Sequence, residues 1–249
     1  MRRILMLTVV ALMAATLAQA DFLVNGDFQS INPNPVGQVH GNYLSQLVDG
    51  GWDVYSSIEG WTGVDQNGVA DPDGLEVQSW EGTTNRGVEL DTHGPTVQGD
   101  PFSEYLGHNG AMSQSFNVSG AEAGPSTLTF DYRSRSGNPY FPPGSQYGQG
   151  VNGGPSTYAI EIYLNGQFVG LQDDWGQTSW KEYSFELNLS EGLNVLTFLG
   201  AGVADSLGGL LDNIRVAGGG PTPIPEPSTY LLVGMGLMGV FLFRRRQRA

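Results

Sequence analysis

The chain reads as an all-β protein, a jelly-roll β-sandwich with a signal helix ahead of it and a short transmembrane helix behind it. Three observations predict this. Apolar residues in the body alternate with polar ones at period two, and no stretch keeps the 3.6-residue apolar period of an amphipathic helix. Gly, Asn, Asp and Pro clusters separate the alternating runs, and 37 of the 249 residues are glycine, a punctuation that suits many short strands joined by turns. The two sustained apolar segments lie at the ends of the chain, outside the alternating region.

Taken in order, the first candidate strands are 52–56, 75–80 and 87–91. In the next, Met112, Gln114, Phe116 and Val118 alternate with Ser113, Ser115 and Asn117. Leu128, Phe130 and Tyr132 alternate with Thr129, Asp131 and Arg133, and Tyr158, Ile160, Ile162 and Leu164 with Ala159, Glu161 and Tyr163. Asn165-Gly166 then forms the strongest short hairpin signal, because both residues tolerate positive φ; 167–171 is the return strand. Tyr183, Phe185 and Leu187 alternate with Glu182, Ser184 and Glu186. Residues 193–199 are apolar on both faces, which predicts a central strand, and 210–216 closes the domain. Trp61 is expected in the core.

The ends carry addresses. Arg2 and Arg3 precede an apolar run over 4–17, and Ala18-Gln19-Ala20 places small residues at Ala18 and Ala20, so signal peptidase is expected to cut before Asp21. The run is shorter than the roughly 20 residues of a full span. With no cysteine in the chain, disulfides and a lipid-modified N-terminal cysteine are excluded. At the other end, 218–224 is a Gly/Pro linker. Pro225-Glu226-Pro227 follows, then an apolar, glycine-dotted segment over 230–243 closed by Arg244, Arg245 and Arg246, a cluster that keeps its side in the cytoplasm. The chain thus divides into a signal peptide at 1–20, a body at 21–217, the linker and a tail at 225–249.

That order of Pro-Glu-Pro, short apolar helix and arginine cluster resembles the PEP-CTERM sorting signal of Gram-negative bacteria that make exopolysaccharide. The resemblance implies transient insertion in the inner membrane, cleavage near Pro225, Glu226 and Pro227 by an exosortase-type membrane protease, and delivery to the cell surface or extracellular matrix.

Removing Arg2, Arg3, the four tail arginines and Glu226 leaves a body with 5 basic and 24 acidic residues, a net charge near −19. Such a body repels phosphate, so it is a poor partner for nucleic acid or anionic lipid and no nucleic-acid partner is expected, while cations or neutral sugars suit it. Its segments Leu23-Val24-Asn25-Gly26-Asp27-Phe28, Gly60-Trp61-Thr62, Gly87-Val88-Glu89-Leu90-Asp91, Ser113-Gln114-Ser115-Phe116, Leu128-Thr129-Phe130-Asp131-Tyr132 and Leu210-Leu211-Asp212-Asn213-Ile214, in that order, resemble galactose-binding-like jelly rolls, particularly the DUF642 type and nearby carbohydrate-binding modules. The resemblance implies a structural calcium joining the first strand to the last, with ligands around Asp27, Gln29 and Asp212, although Gln29 stands where many such modules have a glutamate.

Catalytic patterns are missing from the sequence. His40, His93 and His108 are widely separated, and no zinc-protease, nucleophile-elbow or phosphate-loop motif occurs; the chain is expected not to be an enzyme. Asp65 to Glu76 spaces oxygens like part of a calcium loop, but its glycine at position four rather than six makes an EF-hand improbable. Sugars stack on rings and hydrogen-bond to amides. The long segment 136–156 supplies Tyr140, Phe141 and Tyr147 for stacking and Asn138 and Gln146 for hydroxyls, and Trp175 and Trp180 flank a second loop. Exopolysaccharide is the expected partner; the alternative is a structural matrix protein without a discrete small ligand.

Overall fold

A computed structural model describes residues 21–64, 74–80, 84–93, 107–134, 158–174, 176–201 and 208–218. Alternation turns every second side chain of each run inward, and two stacked sheets result. The strands are β1 (Trp52–Tyr55), β2 (Ser57–Ile58), β3 (Trp61–Val64), β4 (Leu75–Ser79), β5 (Arg86–Glu89), β6 (Asp91–His93), β7 (Gly107–Asn109), β8 (Ala111–Val118), β9 (Gly124–Arg133), β10 (Ile160–Leu164), β11 (Gln167–Gln172), β12 (Lys181–Leu189), β13 (Gly192–Gly200) and β14 (Leu210–Gly218). The first sheet runs β1-β4-β5-β14-β9-β12, the second β11-β10-β13-β8-β3-β2, and β6 pairs with β7 alone. Every pairing is antiparallel. From β8 onward the chain crosses repeatedly between the sheets, as a jelly roll requires. The one helical element among the described residues is a 3-10 turn at Leu44–Gln46, and no helix among them is long and apolar enough to cross a membrane.

Rings from both sheets meet in the middle. Trp61 is 1% exposed; it packs against Phe28 at 5.8 Å and Phe198 at 6.2 Å, and Phe198 meets Phe130 edge-on at 5.7 Å. The indole N–H of Trp61 donates to the Asn25 carbonyl at 3.1 Å, so the ring is buried without an orphaned donor. The expectation of a core tryptophan holds.

Two polar residues on inward positions have structural work. The amide of buried Gln114 grips the backbone of Val24, accepting from its N–H at 2.6 Å and donating to its carbonyl at 2.9 Å. The carboxylate of Asp53, fully buried, accepts the backbone N–H groups of Val39, His40 and Asn42 at 2.8 to 3.2 Å, and a Cβ on Gly37 would lie 2.0 Å from its Cγ. The 37–42 turn is therefore wrapped on one side chain. The N-terminal segment binds both sheets: Gln114 ties it to β8, Phe22 N donates to Val216 O at 3.2 Å, and Asp21 bridges to Ala217.

The hairpin turn forms as expected, with Asn165 at φ 52 and Gly166 at φ 73. Three elements were not legible as strands: the two-residue β2, the short β3 interrupted by Gly63, and β7. The run 87–91 is two strands, broken at the buried Leu90. Residues 193–199 do lie in an interior strand, but only one face is core: Asn194, Leu196 and Phe198 are buried while Leu193 is 63% exposed.

Candidate functional site

The structure brings Asp27, Gln29 and Asp212 to one corner, where the N-terminal segment crosses β5 and β14. The bulge there has a local cause. Asn213 adopts φ 52, and the β14–β9 register shifts between Asp212 and Arg215. Asp212 is 4% exposed and faces Asp131 across the strand pair. Burial, with the neighbouring Asp131 and Asp27 carboxylates, pushes its pKa up to about 7 against the hydrogen bonds from Asn213 and Asn85. Asn213 N donates to Asp212 Oδ1 at 2.7 Å, Asn85 Nδ2 to Asp212 Oδ2 at 3.2 Å, and Asn213 Nδ2 to Asp131 Oδ2 at 2.9 Å.

Gln29 behaves as a donor here. Its Nε2 donates to the carbonyls of Asp27 at 2.5 Å and Arg86 at 3.1 Å, and two carbonyl acceptors fix which end of the amide faces them. A nitrogen therefore stands against two carbonyls that could otherwise serve a hard cation, which wants oxygens. Among the described residues no group of three or more His, Asp or Glu is arranged to hold a metal ion. The corner as it stands is a hydrogen-bonded network of acids and amides. Of the weaker loop candidate, 65–73 lies outside the described residues, and Glu76 is a fully buried member of β4.

Two further groupings were not foreseen. Glu76 and Glu89, both fully buried, face each other across β4 and β5. Gln78 bridges them, its Nε2 donating to Glu76 Oε1 at 2.6 Å and to Glu89 Oε2; Gly208 N donates to Glu89 Oε1. Nearby, the Arg133 guanidinium lies 4.6 Å from the Trp80 ring and 4.9 Å from Trp180, whose rings meet edge-on at 5.1 Å. Gly87 permits this: its Cβ would sit 2.6 Å from Trp80 Cζ2. Trp180 flanks the second loop of the sequence reading; its partners, Trp80 and Arg133, are distant in sequence.

The outer face of the second sheet differs in chemistry. Registers align Ser57, Thr62, Ser113, Thr197, Tyr163 and Phe168 in one row, one residue per strand. Phe168 is 59% exposed and meets Tyr163 edge-on at 5.7 Å. The Ser113-Ser115-Asn117 alternation was visible in the sequence as non-core positions; the lateral pairing was not.

The remaining candidates lie outside the described residues: Asn138, Tyr140, Phe141, Gln146 and Tyr147 of the long loop, Trp175, Ala18 and Ala20 of the signal, and Pro225, Glu226, Pro227, Arg244, Arg245 and Arg246 of the tail. Of the histidines, His40 sits edge-on to Trp52 at 4.4 Å, and His93 and His108 belong to the β6–β7 pair.

Residues 223–246 match the family described as the PEP-CTERM protein-sorting motif. No curated protein matches the chain. Among solved structures, the chain is similar to the family 35 carbohydrate-binding module of Paenibacillus barcinonensis, with 19% identity and a TM-score of 0.37, over 68% of this chain and 98% of that one. It is similar to a family 35 carbohydrate-binding module from Clostridium thermocellum, with 17% identity and a TM-score of 0.36, over 67% and 97%. An exo-β-1,3-galactanase from Phanerochaete chrysosporium, solved with β-1,3-galactotriose, shares 19% identity at a TM-score of 0.35 over 71% of this chain. The chain spans only 30% of the galactanase. These likenesses concern fold.

Proposed function

We propose that the protein is exported, sorted by an exosortase-type protease and deployed at the cell surface or in the extracellular matrix, where its β-sandwich binds carbohydrate without cleaving it. The observation that carries this reading is the sorting motif at 223–246, joined to an all-β body whose net charge near −19 disfavours polyanions. Exopolysaccharide is the polymer we expect it to meet at such a location. Tyr140, Phe141 and Tyr147 supply rings for stacking, with Asn138 and Gln146 for hydroxyls.

A binding role rather than a catalytic one is supported by the acidic groups. Glycoside hydrolysis needs two carboxyl groups that flank an accessible bond. Glu76 and Glu89 are 0% exposed and bridged by Gln78, so this pair serves the sheet. No step in this reading uses a metal ion.

The test is titration of the full chain, in mild detergent, with fragments of the host's own exopolysaccharide and a broad glycan panel. Weak binding, little altered by salt, is expected, because a neutral sugar releases no counterions. Losing one stacked ring should weaken binding about tenfold, at roughly 1–2 kcal/mol, and replacing Tyr140, Phe141 and Tyr147 together by alanine should weaken it by more than that. Absence of binding across the panel would move the assignment to a structural matrix protein.

A further inference from the structure

We infer that β11 is an association edge: two copies of the chain pair antiparallel along it and join their second sheets into one. The inference stands apart from whether the body binds carbohydrate. It begins from how the chain treats its sheet edges. An edge strand offers unpaired N–H and C=O groups to any other strand, and proteins blunt such edges with charge, proline, cover or shortness. The sheet orders end on β1 and β12 in the first sheet and on β11 and β2 in the second. β12 carries Lys181, Glu182 and Glu186. β1 is covered by the turn wrapped on Asp53, from which Gln38 N donates to Val54 O at 2.7 Å. β2 is two residues long. β11 is six residues long, with no charge and no proline, and it shows solvent Phe168 at 59% and Leu171 at 41% exposure.

The strand is complementary to itself. Gln167-Phe168-Val169-Gly170-Leu171-Gln172 reads alike in chemical type from both ends. Laid antiparallel to a second copy about a two-fold axis between Val169 and Gly170, it sets Gln167 beside the other copy's Gln172, Phe168 beside Leu171 and Val169 beside Gly170. Each pair then occurs twice, as an isologous contact requires. Phe168 and Leu171 are three apart, so a regular strand would send them to opposite faces. The register with β10 shifts between them, leaving Phe168 opposite Tyr163 and Leu171 opposite Glu161, and both apolar side chains share the outward face. Cross-strand apolar pairs of this kind stabilise a sheet. The inward side of β11 is already occupied: a Cβ on Gly170 would meet the Phe185 ring at 2.4 Å.

Charge decides which partner fits. Two bodies near −19 meet only where like charges stay apart. The one charged side chain in β10 and β11 is Glu161, whose Oε2 accepts from the Tyr163 hydroxyl at 2.5 Å. In the pair, the two Glu161 are three strand spacings apart, about 14 Å sideways. Asp173 and Asp174 follow the strand, and the two Asp173 fall seven residues apart along it, roughly 23 Å. Both separations exceed the Debye length of about 8 Å at physiological ionic strength. A basic partner would gain nothing from so uncharged an edge. Area sets the strength: a six-residue edge pair belongs at the small end of specific interfaces, so the dimer is weak and forms where copies are concentrated.

The experiment uses the full chain in mild detergent, so that the tail's contribution is common to every variant. Sedimentation equilibrium should show monomer and dimer, half-associated on the order of 100 μM. Phe168→Glu and Leu171→Glu should each weaken association about tenfold or more, while Phe168→Leu changes it by less than about threefold. Both glutamates replace exposed side chains, so circular dichroism and melting should stay as in the parent. Because the chain has no cysteine, register can be read by disulfide trapping under mild oxidation. Phe168→Cys protein mixed with Leu171→Cys protein should cross-link to each other well above either alone, and Leu193→Cys should stay at background. Association unchanged in both glutamate variants, or equal trapping in all three cysteine proteins, would assign the contact to the tail and overturn the edge. Strong self-trapping of Leu193→Cys would move the contact to the sheet face and overturn it as well. So would a monomer persisting to about 1 mM, ten times the expected midpoint.

Discussion

The two outer faces are built by the same period-two rule and meet their surroundings in opposite ways. On the first sheet the outward residues where β4, β5 and the start of β14 pair are buried: Glu76, Gln78, Glu89, Leu210 and Asp212 are at most 9% exposed. Their polar atoms are held in a network of amide and carboxylate bonds. On the second sheet the outward positions carry hydroxyls at Ser57, Thr62, Ser113, Ser115 and Thr197, apolar side chains at Leu171, Leu193, Val195 and Leu199, and a single carboxylate, Glu161. Buried polar groups tie a face to stability because each must be satisfied; exposed hydroxyls leave a face free for a ligand. The comparison separates a face that holds the fold from one available for recognition.

The largest effect expected is a pH dependence from Asp212. Its folded pKa, about 7, is above the ordinary 3.8, so the folded state holds this proton more tightly than the unfolded state. The resulting stabilisation is fully present below about pH 4 and is lost as pH rises through 7, at most about 4 kcal/mol for a shift of this size. Asp212→Asn should flatten that slope and raise Tm above pH 7, as seen in melting curves at a series of pH values. An unchanged slope would mean Asp212 is solvated. Calcium at pH 8 is expected to move Tm no more than magnesium does; a calcium-selective rise that Asp212→Asn abolishes would restore a cation to this corner.

Next comes Glu89→Ala, which leaves the buried Gln78 amide and Gly208 N–H without this acceptor. A loss of about 2–4 kcal/mol is expected in urea unfolding; a loss under about 1 kcal/mol would show that water enters this face. Trp180→Ala removes one of the two rings against Arg133 and should cost about 1 kcal/mol. Ser115→Ala on the second sheet should change stability by less than about 0.5 kcal/mol, because the exposed hydroxyl supports nothing beneath it. Equal costs for Glu89→Ala and Ser115→Ala would dissolve the distinction between the faces.

Much of the sandwich was legible because local rules and tertiary structure agree in it. Leu128, Phe130 and Tyr132 alternate and are all buried, and Asn165-Gly166 turns where its φ tolerance predicts. Failures arose where a neighbour distant in sequence decides. Gln114 is polar on a core position because it clamps Val24, ninety residues away. β3 is a strand through its pairing with β8, not through its own short, glycine-containing sequence. The proximity of Asp27, Gln29 and Asp212 came from a resemblance; what Gln29 does there, donating to two carbonyls, required the fold. The lateral row from Ser57 to Phe168 could not be read at all, since its members span residues 57 to 197 and meet only through five strand registers.

The pairing of the body's first and last described segments has a mechanical consequence. Past Gly218 the sequence leads directly to the sorting motif, so any tether at that end draws on β14. That strand is not at an edge: it lies between β5 and β9, with the segment from Asp21 laid against it through the Asp21–Ala217 bridge and the Phe22 N to Val216 O bond. A pull along β14 shears several hydrogen bonds at once rather than unzipping them in turn. Tension on a sandwich held at a moving cell surface would therefore be resisted first where the protein is attached.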